Sequence, residues 1–198
     1  MRLELWNVFL DSYLIDIKNF NEFIKLRENH YPNGSKVNFI LDNEIIICNV
    51  NKNNGLIETE NYYKNDSLYK VKEYCMLDNN TRVLQKEKTY KNNFLHSYNH
   101  NPAFIFYDVE SYCENGKKIL PIQLARWYKN GDLHRETYPA DIYYDNKRNI
   151  IEEGYYLYGE RFNMSNELKS FDFYVLSNTE GLTKKMIREK YGRIMYDW

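Results

Sequence analysis

The 198-residue sequence is poor in the residues that several common folds need. It has three Ala, the best helix former, which argues against an all-helical bundle. Its three cysteines, Cys48, Cys75 and Cys113, are odd in number and widely spaced, so they form neither a disulfide framework nor a zinc signature. They read as free thiols of a reducing compartment. No run of 18 apolar residues is present, so no helix is expected to span a membrane. With 27 basic and 28 acidic side chains the net charge is −1, which gives no general field for nucleic acid or an anionic membrane. The first ten residues alternate polar and apolar without a signal-peptide core, so the expected location is the cytoplasm, or the host cytoplasm if the protein is viral. Eight glycines, mostly at turns, leave little for a phosphate loop, and no Gly-x-Ser-x-Gly, Gly-x-x-x-x-Gly-Lys-Ser/Thr or Gly-x-Gly-x-x-Gly occurs. The expected reading is non-enzymatic, with no cofactor.

What is abundant is equally specific. Aromatic residues reach 17%, including 20 Tyr, and there are 26 Asn. Tyr, Ile, Phe and Val favour strands. AT-rich codons also favour several of these residues.

Along the chain, Met1–Leu10 reads as a strand and Phe20 to about Asn29 as a helix. Asn19 caps that helix, Glu22 completes a capping box, and Phe20, Phe23 and Ile24 form its buried face. Val37–Val50 suggests a hairpin broken at Asp42-Asn43. From Asn54 to Met164 strands and turns alternate, and Asn54-Gly55, Asn115-Gly116 and Asn130-Gly131 are dipeptides that a type I′ turn prefers. Near the end, Leu182, Met186, Ile187 and Tyr191 form a helical stripe that Gly192 stops.

An internal repeat organises the middle of the chain. Tyr90-Lys-Asn-Asn-Phe-Leu-His96 aligns with Tyr128-Lys-Asn-Gly-Asp-Leu-His134, and Pro102-Ala-Phe-Ile-Phe-Tyr-Asp108 aligns with Pro139-Ala-Asp-Ile-Tyr-Tyr-Asp145. Weaker copies are Tyr63–Tyr69 and Tyr156–Phe162. Ala140, Ile142 and Tyr144 share one strand face and Asp141 and Tyr143 the other, as the period of two requires. Hairpins of this kind share a core with their neighbours.

The run from Trp127 to Arg135, then Pro139–Asp145 and Glu152–Gly159, resembles the MORN-repeat-variant hairpins of YwqK-type antitoxin proteins and of phage and large-DNA-virus proteins. The resemblance covers roughly residues 57–162. It departs from the regular pattern in its uneven spacing and at Asp66 and Asn93, where Gly is usual. It implies a scaffold that binds other molecules rather than one catalytic motif.

His96 and His134 stand where Tyr69 and Phe162 stand in the other copies, so a packing ring is the simpler role. The His96/His100 spacing is not ligand geometry outside a helix. Asp108 with Glu110, Glu152-Glu153 and Asp141/Asp145 are acid pairs that a metal-dependent nuclease would use, and a solvated sheet face accounts for them more simply. Trp127, Tyr128, Tyr143 and Tyr155 supply outward rings for an aromatic binding surface. Lys184, Lys185, Arg188 and Arg193 form a basic helix face that suits nucleic acid.

The expected architecture is mainly β (α+β). Serial antiparallel β-hairpin repeats form a twisted sheet, with a short N-terminal helix and a C-terminal amphipathic helix. Segments 1–52, 53–164 and 165–198 are expected to make one compact unit. The expected function is that of a protein-binding accessory protein, such as a phage or viral inhibitor of a host defence factor. The alternatives are a toxin-neutralising immunity protein, a nucleic-acid or nucleotide binder, and a small metal-dependent nuclease. Open strand edges also leave a homodimer as an option.

Overall fold

A computed structural model describes residues 12–77, 81–109, 121–136 and 138–162. These residues are mainly β, with fourteen strands and one short helix among them. The strand read at Met1–Leu10, the turn at Asn115-Gly116 and the C-terminal helix lie outside the described residues. The chain divides into two compact units, Met1–Lys88 and Thr89–Trp198. That boundary falls within strand β6 (Arg82–Lys91) rather than near residue 52, where the texture of the sequence changes. β3 (Glu44–Val50) of the N-terminal hairpin pairs along its length with β4 (Ile57–Lys64) of the first repeat hairpin. The N-terminal hairpin and the first repeat hairpin are therefore continuous in one sheet.

In the first unit β1 (Ser12–Asp16) runs parallel to β2 (Lys36–Leu41), and β2, β3, β4 and β5 (Ser67–Met76) follow as antiparallel neighbours. The registers Val37↔Cys48, Phe39↔Ile46 and Ile46↔Tyr62 put these five side chains on one sheet face. All five are buried. Helix α1 (Phe20–Leu26) covers them through Phe23, whose ring meets Phe39 edge-on at 5.1 Å and Tyr62 at 6.2 Å. Asn19 Oδ1 accepts the Glu22 N–H at 3.1 Å, and Glu22 reaches back to the Lys18 N–H at 2.7 Å. The helix stops three residues short of Asn29. Phe20 and Ile24 are exposed rather than buried, because two turns on a sheet present only a narrow stripe, here Phe23 and Leu26.

The second unit contains β7 (Phe94–Leu95), β8 (Phe104–Tyr107), β9 (Ile122–Arg126), β10 (Tyr128–Lys129), β11 (Asp132–Leu133), β12 (Asp141–Tyr144), β13 (Ile150–Leu157) and β14 (Glu160–Phe162). β8, β9, β12, β13 and β14 are successive neighbours, β7 pairs with the end of β6, and β10 pairs with β11. Ala125, Trp127, Ala140 and Ile142 form the core, with Tyr144 and Tyr156 packed against it.

Among the described residues, four hairpin tips have both central residues at positive φ: Asn65-Asp66, Asn92-Asn93, Asn130-Gly131 and Tyr158-Gly159. Asn and Asp tolerate this region, so Asp66 and Asn93 turn the chain without glycine. Asn54-Gly55 behaves differently from the expected two-residue turn. Val50 pairs with Ile57 across the longer loop Asn51–Leu56, and of its residues only Gly55 has positive φ, at 72°. A Cβ at Gly55 would lie 2.6 Å from the Tyr31 carbonyl oxygen, which explains the glycine.

Successive hairpins of the second unit meet through one repeated set of bonds. The Asn130 N–H donates to His96 Nδ1 (3.3 Å), Ser97 N–H to the Tyr128 carbonyl (2.9 Å) and Gly131 N–H to the Leu95 carbonyl (2.9 Å). One hairpin further on, Tyr158 N–H donates to His134 Nδ1 (3.1 Å), Arg135 N–H to the Tyr156 carbonyl (3.1 Å) and Gly159 N–H to the Leu133 carbonyl (2.8 Å). The aligned segments of the sequence therefore occupy equivalent places.

Candidate functional site

Among the described residues of the second unit, a convergence of charged and aromatic side chains surrounds Arg126. Its cross-strand partner is Asp141, which places their side chains on one sheet face. Arg126 Nε donates to Asp141 Oδ1 at 2.9 Å, and Nη2 donates to the Tyr143 hydroxyl at 2.8 Å. Tyr143 lies two residues after Asp141 on β12, so strand alternation sends its ring to the same face; Tyr128, on β10, stands within reach of the Arg126, Asp141 and Tyr143 charges and hydroxyls. Burial opposes the Arg126 charge, but Asp141 outweighs it and holds the guanidinium pKa above the ordinary value. Burial raises the Tyr128 pKa despite the nearby Arg126 cation. Gly154, opposite Asp141, leaves room for a third ring, since a Cβ there would meet Tyr156 Cε2 at 2.6 Å. The result is a half-buried surface of tyrosine rings around a neutralised, geometrically fixed Arg–Asp pair.

The structure brings two of the four aromatic candidates, Tyr128 and Tyr143, to this face. Trp127 does not reach it. Its indole is only 7% exposed, donates Nε1–H to the His100 carbonyl at 2.8 Å, and is covered by the Arg135 guanidinium 3.8 Å from the ring centre. Tyr155 is half-buried and its hydroxyl donates to Glu153 Oε1 at 3.1 Å. Lys184, Lys185, Arg188 and Arg193 lie outside the described residues.

The acid pairs separate in space or in role. Asp141 pairs with Arg126, whereas Asp145 accepts the Lys147 and Asn149 N–H groups and closes its own turn. Glu152 faces Arg161 at 3.7 Å. Asp108 is described but Glu110 is not. Among the described residues no three His, Cys, Asp or Glu side chains converge as a metal site. Nor is any helix there long and apolar enough to cross a membrane. Both ring nitrogens of His134 are engaged, Nδ1 by the Tyr158 N–H and Nε2 by Glu136 Oε1 at 3.4 Å, which leaves no free base.

Sequence reading missed the Arg126 pairing and also a buried ion cluster in the first unit. Glu60 is fully buried and lies between Arg27 (3.5 Å) and Arg82 (3.6 Å), while the Tyr62 hydroxyl donates to its Oε2 at 2.5 Å. Burial, reinforced by Glu60, holds the Tyr62 and Tyr74 hydroxyls well above the ordinary tyrosine pKa. The contributing residues come from α1's C-terminal cap, β4, β5 and β6, and no local pattern in the sequence joins them. For Arg126 the available signal was cross-strand register, which a sequence yields only after the hairpins are paired.

No protein-family model matches the chain. No curated protein matches it either. Among solved structures, one described as "Crystal structure of GtfA/B complex" is similar over 65% of this chain, at 12% identity and a TM-score of 0.23. The present chain spans 24% of that chain's length, and a likeness of this degree supports no argument about fold or function.

Proposed function

We propose that the chain is a non-catalytic protein-binding module whose partner docks on the Tyr128–Arg126–Tyr143 face. The supporting observation is the group of tyrosine rings held on paired strands around the Arg126–Asp141 pair. Tyr and Arg are the residues that most often anchor protein interfaces. Tyrosine offers a large amphipathic contact with little side-chain entropy to lose. Asp141 and Tyr143 fix Arg126 before a partner arrives, which lowers the cost of ordering it on binding. The resemblance to hairpin-repeat proteins of phages and large DNA viruses supports an accessory role, such as inhibition of a host factor.

Affinity capture from host lysate, read by mass spectrometry, tests this with the wild-type chain and a Tyr128→Ala/Tyr143→Ala variant of unchanged circular dichroism. The expected result is a stoichiometric protein partner that the variant binds about 30-fold more weakly, the loss of about 2 kcal/mol typical of an interface anchor. No stoichiometric partner, or one held equally by the variant, would overturn the reading.

A further inference from the structure

The histidines at the two hairpin junctions share a geometry that ordinary ring packing does not require. Each Nδ1 accepts the first N–H of the next hairpin tip, that of Asn130 for His96 and of Tyr158 for His134. An imidazole accepts at Nδ1 only when neutral with its proton on Nε2. A protonated ring carries hydrogen on both nitrogens, so Nδ1–H would then face a backbone N–H. We propose that His96 and His134 act as proton-sensitive clasps, which dock each hairpin onto the next when neutral and release the tips of β10–β11 and β13–β14 when protonated.

The surroundings favour the neutral ring at both junctions. Lys91 at the end of β6 and Lys129 on β10 face His96, whose ring also contacts Tyr98 and whose Nδ1 is bonded at the Asn130 tip. Lys129 also repels a charge on His134, against the attraction of Glu136 and of Asp132 on β11. Tyr158 closes over His134 with ring centres 4.4 Å apart, and its hydroxyl accepts from Lys129 Nζ at 3.2 Å. Burial, followed by the lysines, lowers the pKa of both imidazoles. With the folded-state pKa depressed, the unfolded chain binds protons first as pH falls. The stabilisation is present above the ordinary histidine value of about 6.5 and is lost as pH drops through the lower folded values. In the next copy, Phe162 stands at the clasp position and offers a ring with no acceptor.

Nuclear magnetic resonance on the full-length, ¹⁵N-labelled chain tests the proposal. At pH 8 both imidazoles are expected as the Nε2–H tautomer. As pH is lowered to 5, the Asn130 and Tyr158 amides should shift along with imidazole protonation and lose hydrogen-exchange protection. A His96→Phe/His134→Phe variant, built on the Phe162 precedent, should lose that pH response at both amides. An Nδ1–H tautomer at pH 8 would overturn the proposal, as would amides that ignore the titration or an unchanged response in the double variant. The wild-type measurements decide the matter alone if the variant does not fold.

Discussion

Removing one charge from a buried ion cluster leaves its partners desolvated without compensation, so the loss exceeds the cluster's net contribution. Glu60 is the test case, with two guanidinium groups at ion-pair distance and a tyrosine hydroxyl on its other oxygen. Arg82 is further tied to the Ile57 carbonyl at 2.9 Å and stacks over the Tyr74 ring at 4.4 Å, so it has little freedom to turn toward water. Glu60→Gln is expected to cost about 3–5 kcal/mol, measured as a fall in the urea midpoint of unfolding. A change below about 1 kcal/mol would show that water or another side chain replaces the missing charge. Little of this was legible beforehand. Glu60 sits in Glu58-Thr-Glu60, where strand alternation sends both carboxylates to one face, and nothing local marks only the second as buried.

At the scale of the hairpin, the tips at Asn130-Gly131 and Tyr158-Gly159 each supply two left-handed residues and the N–H groups that dock the hairpin on its neighbour. Gly131 carries the larger positive φ, 92°, and a Cβ there would lie 3.1 Å from Phe94 Cδ1. Gly131→Val should therefore destabilise the fold by about 2 kcal/mol through backbone strain and crowding, read from thermal unfolding. Gly131→Asn should cost clearly less, because Asn93 and Asp66 occupy the corresponding positions at φ 66° and 60°. The hairpin tips were the most legible part of the fold, since Asn-Gly between alternating apolar residues is a local chemical signal. Asn54-Gly55 is the instructive exception. There Asn51 and Asn54 side chains bond to nearby N–H groups and build a wider loop, so the same dipeptide serves a different geometry. The tip at Tyr158 was read only as a weak copy, because a bulky residue at φ 51° breaks the usual preference; His134 stacking and the Lys129 bond favour it.

At the scale of the molecule, the junction bonds sort the turns into those the array depends on and those it does not. The Asp145–Asn149 turn satisfies itself, with the Asp145 carboxylate accepting from Lys147 and Asn149, and residues 146–150 are exposed. A short Gly/Ser insertion between Lys147 and Arg148 should lower the melting temperature only slightly. The same insertion between Asn130 and Gly131 should remove up to three docking bonds. At about 1 kcal/mol each, that should lower the melting temperature by roughly 5 °C or more. Equal shifts at the two sites, measured by calorimetry, would show that the docking bonds carry no stability. The division of the chain at residue 88 falls inside a strand and carries no local mark in the sequence.

The docked tip also bears on how the protein ages. An Asn-Gly pair deamidates when the glycine nitrogen attacks the asparagine side-chain carbonyl, closing a succinimide and releasing ammonia. At Asn130-Gly131 that nitrogen is occupied, because its N–H is held on the Leu95 carbonyl at 2.9 Å. The most chemically fragile dipeptide of the described hairpin tips is therefore shielded while it is docked, and its decay over time would follow how often the tip comes free.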